Sequence, residues 1–448
     1  MDGFATLRQR FQAWSWPTDF NATAGPVPRW SLALGFVAIL GILFLRQPGA
    51  LLEPTFVCED GIIFFKQQYE QGFWSALTTP YAGYYHLAPR LVAGLADWFP
   101  LQYVILIYTL AAWITNALAY WYFLTPLCAN FLPSFLGRAL LVFLMVIIAD
   151  HETFFRINGI HWYLFLWSCW ISLGRLPESK SGKGFLAAVI FFTAWSSPSS
   201  VILLPIMMLR FLSDPVKGSR LFWGFAILNY LAMLLTITPD AGANYTFPEK
   251  ALGFVNALSF RVVGDTVLGH GVAMQTVLGS MLPYYGLTIM ALGVVAMHYL
   301  KSFRSGDRVL LLASIYLIMV GVYTLTARPW LANFIHVDAD KKIWTWLFHG
   351  RYFFLPICLA LFVWYKAVWL ALQNQSRKAL VFALLSWSAG MTVIHWDYVR
   401  LWDWRSKISW QQEVSEILQA QQAGLPTVVR IESASDEIWH FDLNIRQR

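Results

Sequence analysis

The chain has 448 residues, of which 58% are hydrophobic and only 13% charged, with a formal net charge of +7. A soluble domain carries about 25% charged residues, so this composition, with a mean hydropathy of +0.52, argues against a soluble enzyme of this length. The basic residues lie mostly between apolar segments, where they set membrane topology and do not form a nucleic-acid surface.

Residues 1–29 are polar and mixed in charge and read as a cytoplasmic N-terminal segment. The first apolar run begins near Trp30 and is followed by no small-residue cleavage pattern, so it reads as a retained span and not as a secretory signal. A span needs about 20 apolar residues. On that criterion spans are expected near 30–46, 101–125, 138–149, 159–174, 184–195, 199–213, 221–238, 284–300, 308–327, 353–371 and 379–397. Several middle segments are short, and Ser196-Ser197-Pro198-Ser199-Ser200 forms a turn-rich joint between two of them. The expected fold class is therefore an all-α polytopic membrane protein of about 11 transmembrane helices, within a range of 9 to 13.

Arg8, Arg10 and Arg29 precede the first span, and further basic residues cluster in alternate short loops: Arg175, Lys180 and Lys183; Arg210, Lys217 and Arg220; Lys301, Arg304 and Arg308; Arg377 and Lys378. This alternation predicts a cytoplasmic N-terminus and, with an odd count, an outer C-terminus. The transmembrane domain then covers 30–397, and its long hydrophilic loops, 47–100, 239–283 and 328–352, all face outward. Within the first of these, Ile62–Leu77 and His86–Trp98 are amphipathic at helical spacing and are expected to lie in the interface plane. The tail, 398–448, reads as a small α+β periplasmic appendage: a helix over Ser409–Gln422, a break at Gly424-Leu425-Pro426, then strands near Thr427–Ile431 and Trp439–Leu443. Cys58, Cys128, Cys169 and Cys358 include no CxxC pair, which predicts neither a disulfide framework nor a zinc site.

Four stretches carry chemistry. Glu59-Asp60 opens the first outer loop; an acid there serves as a general base or, alternatively, as a solvated residue capping the next helix. Tyr81–Leu91 combines Tyr84, Tyr85, His86 and Arg90, the ingredients of a substrate lining with a phosphate ligand, or of an aromatic belt with a snorkelling arginine. Asp150–Trp162 packs Glu152, Arg156, Asn158, His161 and Trp162 into one turn between two spans; such density is costly unless paired, and Glu152 with Arg156 could form a simple i,i+4 pair. Arg351-Tyr352 lies at an outer span mouth, against the positive-inside trend, where Arg351 can grip a phosphate bidentately. His270, His336 and His395 are isolated and read as structural, and no HExxH, Walker loop or GxGxxG is present.

In this order and topology, Glu59-Asp60, Gly83–Leu91, Glu152–Trp162 and Arg351–Pro356 resemble the GT-C superfamily of membrane glycosyltransferases. The likeness is to bacterial members that use polyprenyl-phosphate-linked sugars, of the type that glucosylates the O-antigen of lipopolysaccharide. It departs in the Glu-Asp order, which leaves open which acid is the base, and in having His161 where a second Asn is expected near the Trp. The resemblance implies an inverting transfer from a polyprenyl-phosphate donor to a glycan or lipid-linked acceptor, at the outer face of the bacterial cytoplasmic membrane. Asp60 or Glu59 would activate the acceptor; Arg351, Tyr352, Arg90 and Arg156 would hold the donor phosphate; Tyr84, Tyr85, His86, Glu152, Asn158, His161 and Trp162 would line the substrate. No cofactor is fixed by it, and a divalent cation (Mg or Mn) stays open. The competing readings are an outer-face polysaccharide polymerase or ligase, and a lipid-linked sugar transporter or flippase.

Overall fold

The structure, a computed structural model, describes residues 27–148, 154–237, 251, 254–268, 282–302, 305–326, 353–372, 386, 390, 408–432 and 438–444. It is mostly helical, with one two-stranded sheet near the C-terminus. Ten of the eleven expected apolar segments coincide with helical segments; the segment at 379–397 falls almost wholly outside the described residues. Among the described residues two helices, Arg29–Arg46 and the run Leu101–Leu124, are long and apolar enough to cross a membrane by length and composition.

The elements that build the site are α1 (Arg29–Arg46), α2 (Gly49–Leu52), a π-helical turn (Asp60–Phe65) leading directly into α3 (Lys66–Gln71), α4 (Phe73–Thr78) and α5 (Leu87–Ala96). These are followed by α6 (Val104–Leu124), α7 (Phe135–Ile148), α8 (Ile160–Leu173) and α9 (Lys180–Ser196). The spacing over 62–77 suggests one amphipathic helix, yet three pieces form. Gly72 sits at φ 78° and breaks the run between α3 and α4, a conformation that glycine alone adopts freely.

Helices α1, α8 and α7 pack around α6. Their shared core is aromatic: the ring of Phe123 lies 4.8 Å from Trp170, and Tyr120 lies 5.6 Å from Tyr163. At the far end from the acidic pair, buried cations satisfy carbonyls that the helix ends leave unpaired. Arg138 donates to Leu132 O at 2.6 Å, Arg210 to Gly174 O at 2.7 Å and Lys366 to Phe131 O at 2.8 Å. Arg210 thus belongs to one of the basic loops that the charge pattern singled out, but it is spent on the backbone and is buried.

The tail folds as expected in kind: its helix, Trp410–Ala423, precedes β1 (Thr427–Glu432) and β2 (Ile438–Leu443), paired antiparallel from Thr427–Leu443 to Glu432–Ile438.

 The tail docks on the segment 47–100 through an aromatic cluster. Trp410 lies 4.8 Å from Phe56 and 5.7 Å from Phe65, and Phe441 lies 6.5 Å from Phe65. Asn444 adds two hydrogen bonds to Glu70 Oε1, from its backbone N–H at 2.8 Å and its side chain at 3.1 Å. Within the tail, the buried carboxylate of Glu413 accepts from the Arg430 side chain at 2.7 Å and from its backbone N–H at 2.9 Å.

Candidate active site

The acidic pair sits at the hinge between an irregular strand of chain and the π-helical turn. Cys58 adopts a left-handed conformation, φ 50°, and the backbone closes over it with Asp60 N–H donating to Val57 O at 3.2 Å. That turn directs the Asp60 carboxylate inward, where only 5% of the residue stays exposed. Its partners come from the turn before α8. The backbone N–H of Ile157 donates to Asp60 Oδ2 at 3.1 Å and that of Asn158 to Oδ1 at 2.9 Å. The Asn158 side chain donates to Glu59 Oε2 at 3.1 Å. Successive backbone amides in a turn form a concave anion site; this one holds Asp60, and the Asn158 side chain of the same turn holds Glu59.

The electrostatics separate the two acids. Burial pushes the Asp60 carboxyl from 3.8 up to about 7; the Asn158 N–H, the Arg156 guanidinium and the Ile157 N–H oppose that rise, and Glu59 adds to it. Glu59 is only half-buried. Asp60 therefore exchanges its proton near neutral pH, as a general base requires. A cavity of about 30 Å³ opens beside it, walled by Gln47, Tyr108, Thr109, Phe155 and Arg156. That volume accommodates about one water molecule, or one hydroxyl group of a larger ligand.

A second cluster lies alongside. His86 adopts φ 52° at the start of α5 and stacks on Tyr84 at 3.8 Å, with Phe64 at 5.6 Å and His161 at 5.9 Å. Burial first, then His161 and Arg90, hold the His86 imidazole well below its usual pKa, so it is neutral. Arg90 is 2% exposed; its Nε donates to Tyr85 O at 3.0 Å and one Nη to Gln67 Oε1 at 2.8 Å. Burial lowers it to about 10, which leaves it charged at neutral pH. The N-terminus of α5 is pinned to α9 by Ala88 N–H donating to Ser196 Oγ at 2.8 Å.

Of the residues singled out from sequence, Glu59, Asp60, Arg156 and Asn158 converge on one turn. Tyr84, His86 and His161 form the neighbouring cluster, His161 being joined to Trp162 at 4.8 Å between rings, while Tyr85 turns its ring toward Trp195 at 6.0 Å. Arg90 does not line the Asp60 cavity. Glu152, Arg351 and Tyr352 lie outside the described residues. Sequence reading missed Arg46, whose guanidinium donates to Val146 O and lies 4.5 Å from the Phe154 ring, beside the Asp60 turn. The signal was present: Arg46 ends the first apolar run, at the end that the charge alternation predicts to face outward, against the positive-inside trend. Among the described residues no three His, Cys, Asp or Glu side chains gather as a metal site would need. No family model matches this chain, and comparisons with curated proteins and with solved structures find no match either.

Proposed function

We propose that this chain is an outer-face membrane glycosyltransferase that moves a sugar from a polyprenyl-phosphate donor to a glycan or lipid-linked acceptor, with Asp60 as general base. The observation that carries the reading is the Asp60 carboxyl, buried, held by two backbone N–H groups and titrating near neutrality beside a cavity. In the proposed step an acceptor hydroxyl attacks the anomeric carbon, its proton passes to Asp60, and the bond from that carbon to the phosphate oxygen breaks. The electron pair leaves with polyprenyl phosphate, and the configuration inverts. Arg351, together with Arg156, would hold the phosphate and stabilise the charge that grows on it.

The membrane assignment, with eleven spans, a cytoplasmic N-terminus and an outer tail in a bacterial cytoplasmic membrane, rests on composition, charge alternation and surface. Leu221, Phe225, Leu228 and Leu231 recur at helical spacing on the helix Lys217–Leu234 and are exposed, as are Leu34, Val37 and Leu45 on α1. Apolar stripes of this extent suit lipid and are unfavourable in water. The test offers the purified chain two labelled donors, monophosphate-linked monosaccharide and pyrophosphate-linked oligosaccharide. Transfer from the first alone supports the proposal. Transfer from the second alone assigns the chain to the polymerases or ligases, and translocation without bond cleavage makes it a flippase.

A further inference from the structure

A larger cavity, about 150 Å³, lies next to the one at Asp60, between the segment 47–100 and the tail helix Trp410–Ala423. That is room for about five water molecules, or for a single six-membered ring. Its lining combines aromatic rings, Phe65, Tyr69 and Phe99, with two amides and one carboxylate, Gln68, Gln421 and Asp97. Gln68 Nε2 donates to Asp97 Oδ2 at 3.3 Å, which orients both side chains. Tyr108 lines this cavity and the Asp60 cavity alike. Its hydroxyl is buried and has no hydrogen-bond partner among the described residues, a costly state for a polar group unless a ligand completes it.

The chemistry of the walls selects the occupant. A purely apolar ligand would strip water from Asp97 and Gln68 and return no hydrogen bond. An anion would face the Asp97 carboxylate. A neutral polyhydroxyl ring can lay its C–H face on an aromatic ring and donate its hydroxyls to the carboxylate and amide oxygens. We infer that this chamber, closed by the tail, is the subsite for the acceptor sugar, with Tyr108 bridging it to the cavity at Asp60. The small cavity then receives only the attacking hydroxyl, while the ring rests next door. The inference rests on the glycosyltransferase reading for the nature of its ligand, and it gives the tail a function: Leu418 and Gln421 complete the chamber wall.

The test measures binding of a panel of methyl hexosides to the full chain in lipid nanodiscs, by saturation-transfer NMR, with no donor present. At least one glycoside is expected to bind. Asp97→Asn and Gln421→Trp should each weaken it about tenfold or more, the loss of one hydrogen bond to a charged group or of the space itself. Gln412→Trp, the same bulk at an exposed position of the same helix, should leave binding unchanged and controls for damage to the tail. Absence of binding across the panel, or binding that survives Gln421→Trp, overturns the inference. Donor cleavage is measured separately: glycoside binding in the chamber without any donor cleavage would sink the glycosyltransferase reading alone, and donor cleavage and transfer indifferent to Gln421→Trp would sink the chamber alone.

Discussion

Asp60→Asn separates catalysis from stability because the two effects run in opposite directions. The native carboxylate accepts the N–H groups of Ile157 and Asn158 with different oxygens. An amide has one acceptor oxygen, so one of those N–H groups would face an –NH2, which costs about 1–3 kcal/mol for a buried unsatisfied donor. Against this, the fold holds the Asp60 carboxyl at about 7 where an ordinary aspartate sits at 3.8, a rise equivalent to roughly 4 kcal/mol against the ionised form. Because the folded pKa is raised, the unfolded chain ionises first. The native protein loses that stability as pH climbs from about 4 to about 7, and holds a constant deficit above it. Asp60→Asn removes this dependence, so above pH 7 the variant is expected to be as stable as the native chain or more so. Transfer, by contrast, should fall by roughly a hundredfold to ten-thousandfold with the base gone. The assay follows labelled sugar from polyprenyl phosphate into product between pH 5 and 9, beside thermal unfolding of the same preparations. The native rate should rise with pH and level off near 7, about tenfold below its plateau at pH 6; the Asn variant should show no such limb. A variant that transfers within tenfold of the native rate, or a native rate flat from pH 5 to 8, would refute the reasoning.

Three further outcomes are expected. Asn158→Ala removes a side-chain donor to Glu59 but keeps the backbone N–H on Asp60, so the pH–rate limb should stay near 7 while stability drops by about 1.5–3 kcal/mol, the value of a hydrogen bond to a charged group. Gly61→Val places a Cβ 3.0 Å from Ile431 Cγ2 and 3.2 Å from Phe56 Cβ; overpacking of about 1–3 kcal/mol is expected, read as a lowered unfolding temperature that Ile431→Ala partly restores. A cysteine introduced at exposed Gln412 should react in spheroplasts with a membrane-impermeant maleimide, whereas one at exposed Lys180 should react only after lysis, because the four native thiols are buried and do not compete.

Much of the helical frame was legible because hydrophobic segments declare themselves locally. α1 begins within one residue of the expected start, and the tail's helix and two strands fall within one or two residues of their sequence positions. The site was legible in its parts and not in its joints. Glu59-Asp60 and the turn at Asn158 each stood out as costly polar clusters, but their union is made by backbone N–H groups 97 and 98 residues away, which no periodicity encodes. The same limit hid which acid is buried. Tyr108 gave no signal at all, since a tyrosine near the start of an apolar run is ordinary at a membrane interface; only the two cavities on either side of it mark it. Arg90 looked like a phosphate ligand in sequence, and the fold ties it to Gln67 and Tyr85, which makes it a brace of the segment 47–100 as well.

The most direct test of the account is bond cleavage itself. The native chain, reconstituted in proteoliposomes with a polyprenyl-monophosphate sugar labelled at the anomeric carbon, should release polyprenyl phosphate and deliver the label to a glycan with inverted configuration. Retained configuration, or label that crosses the bilayer still bound to its lipid, would contradict it.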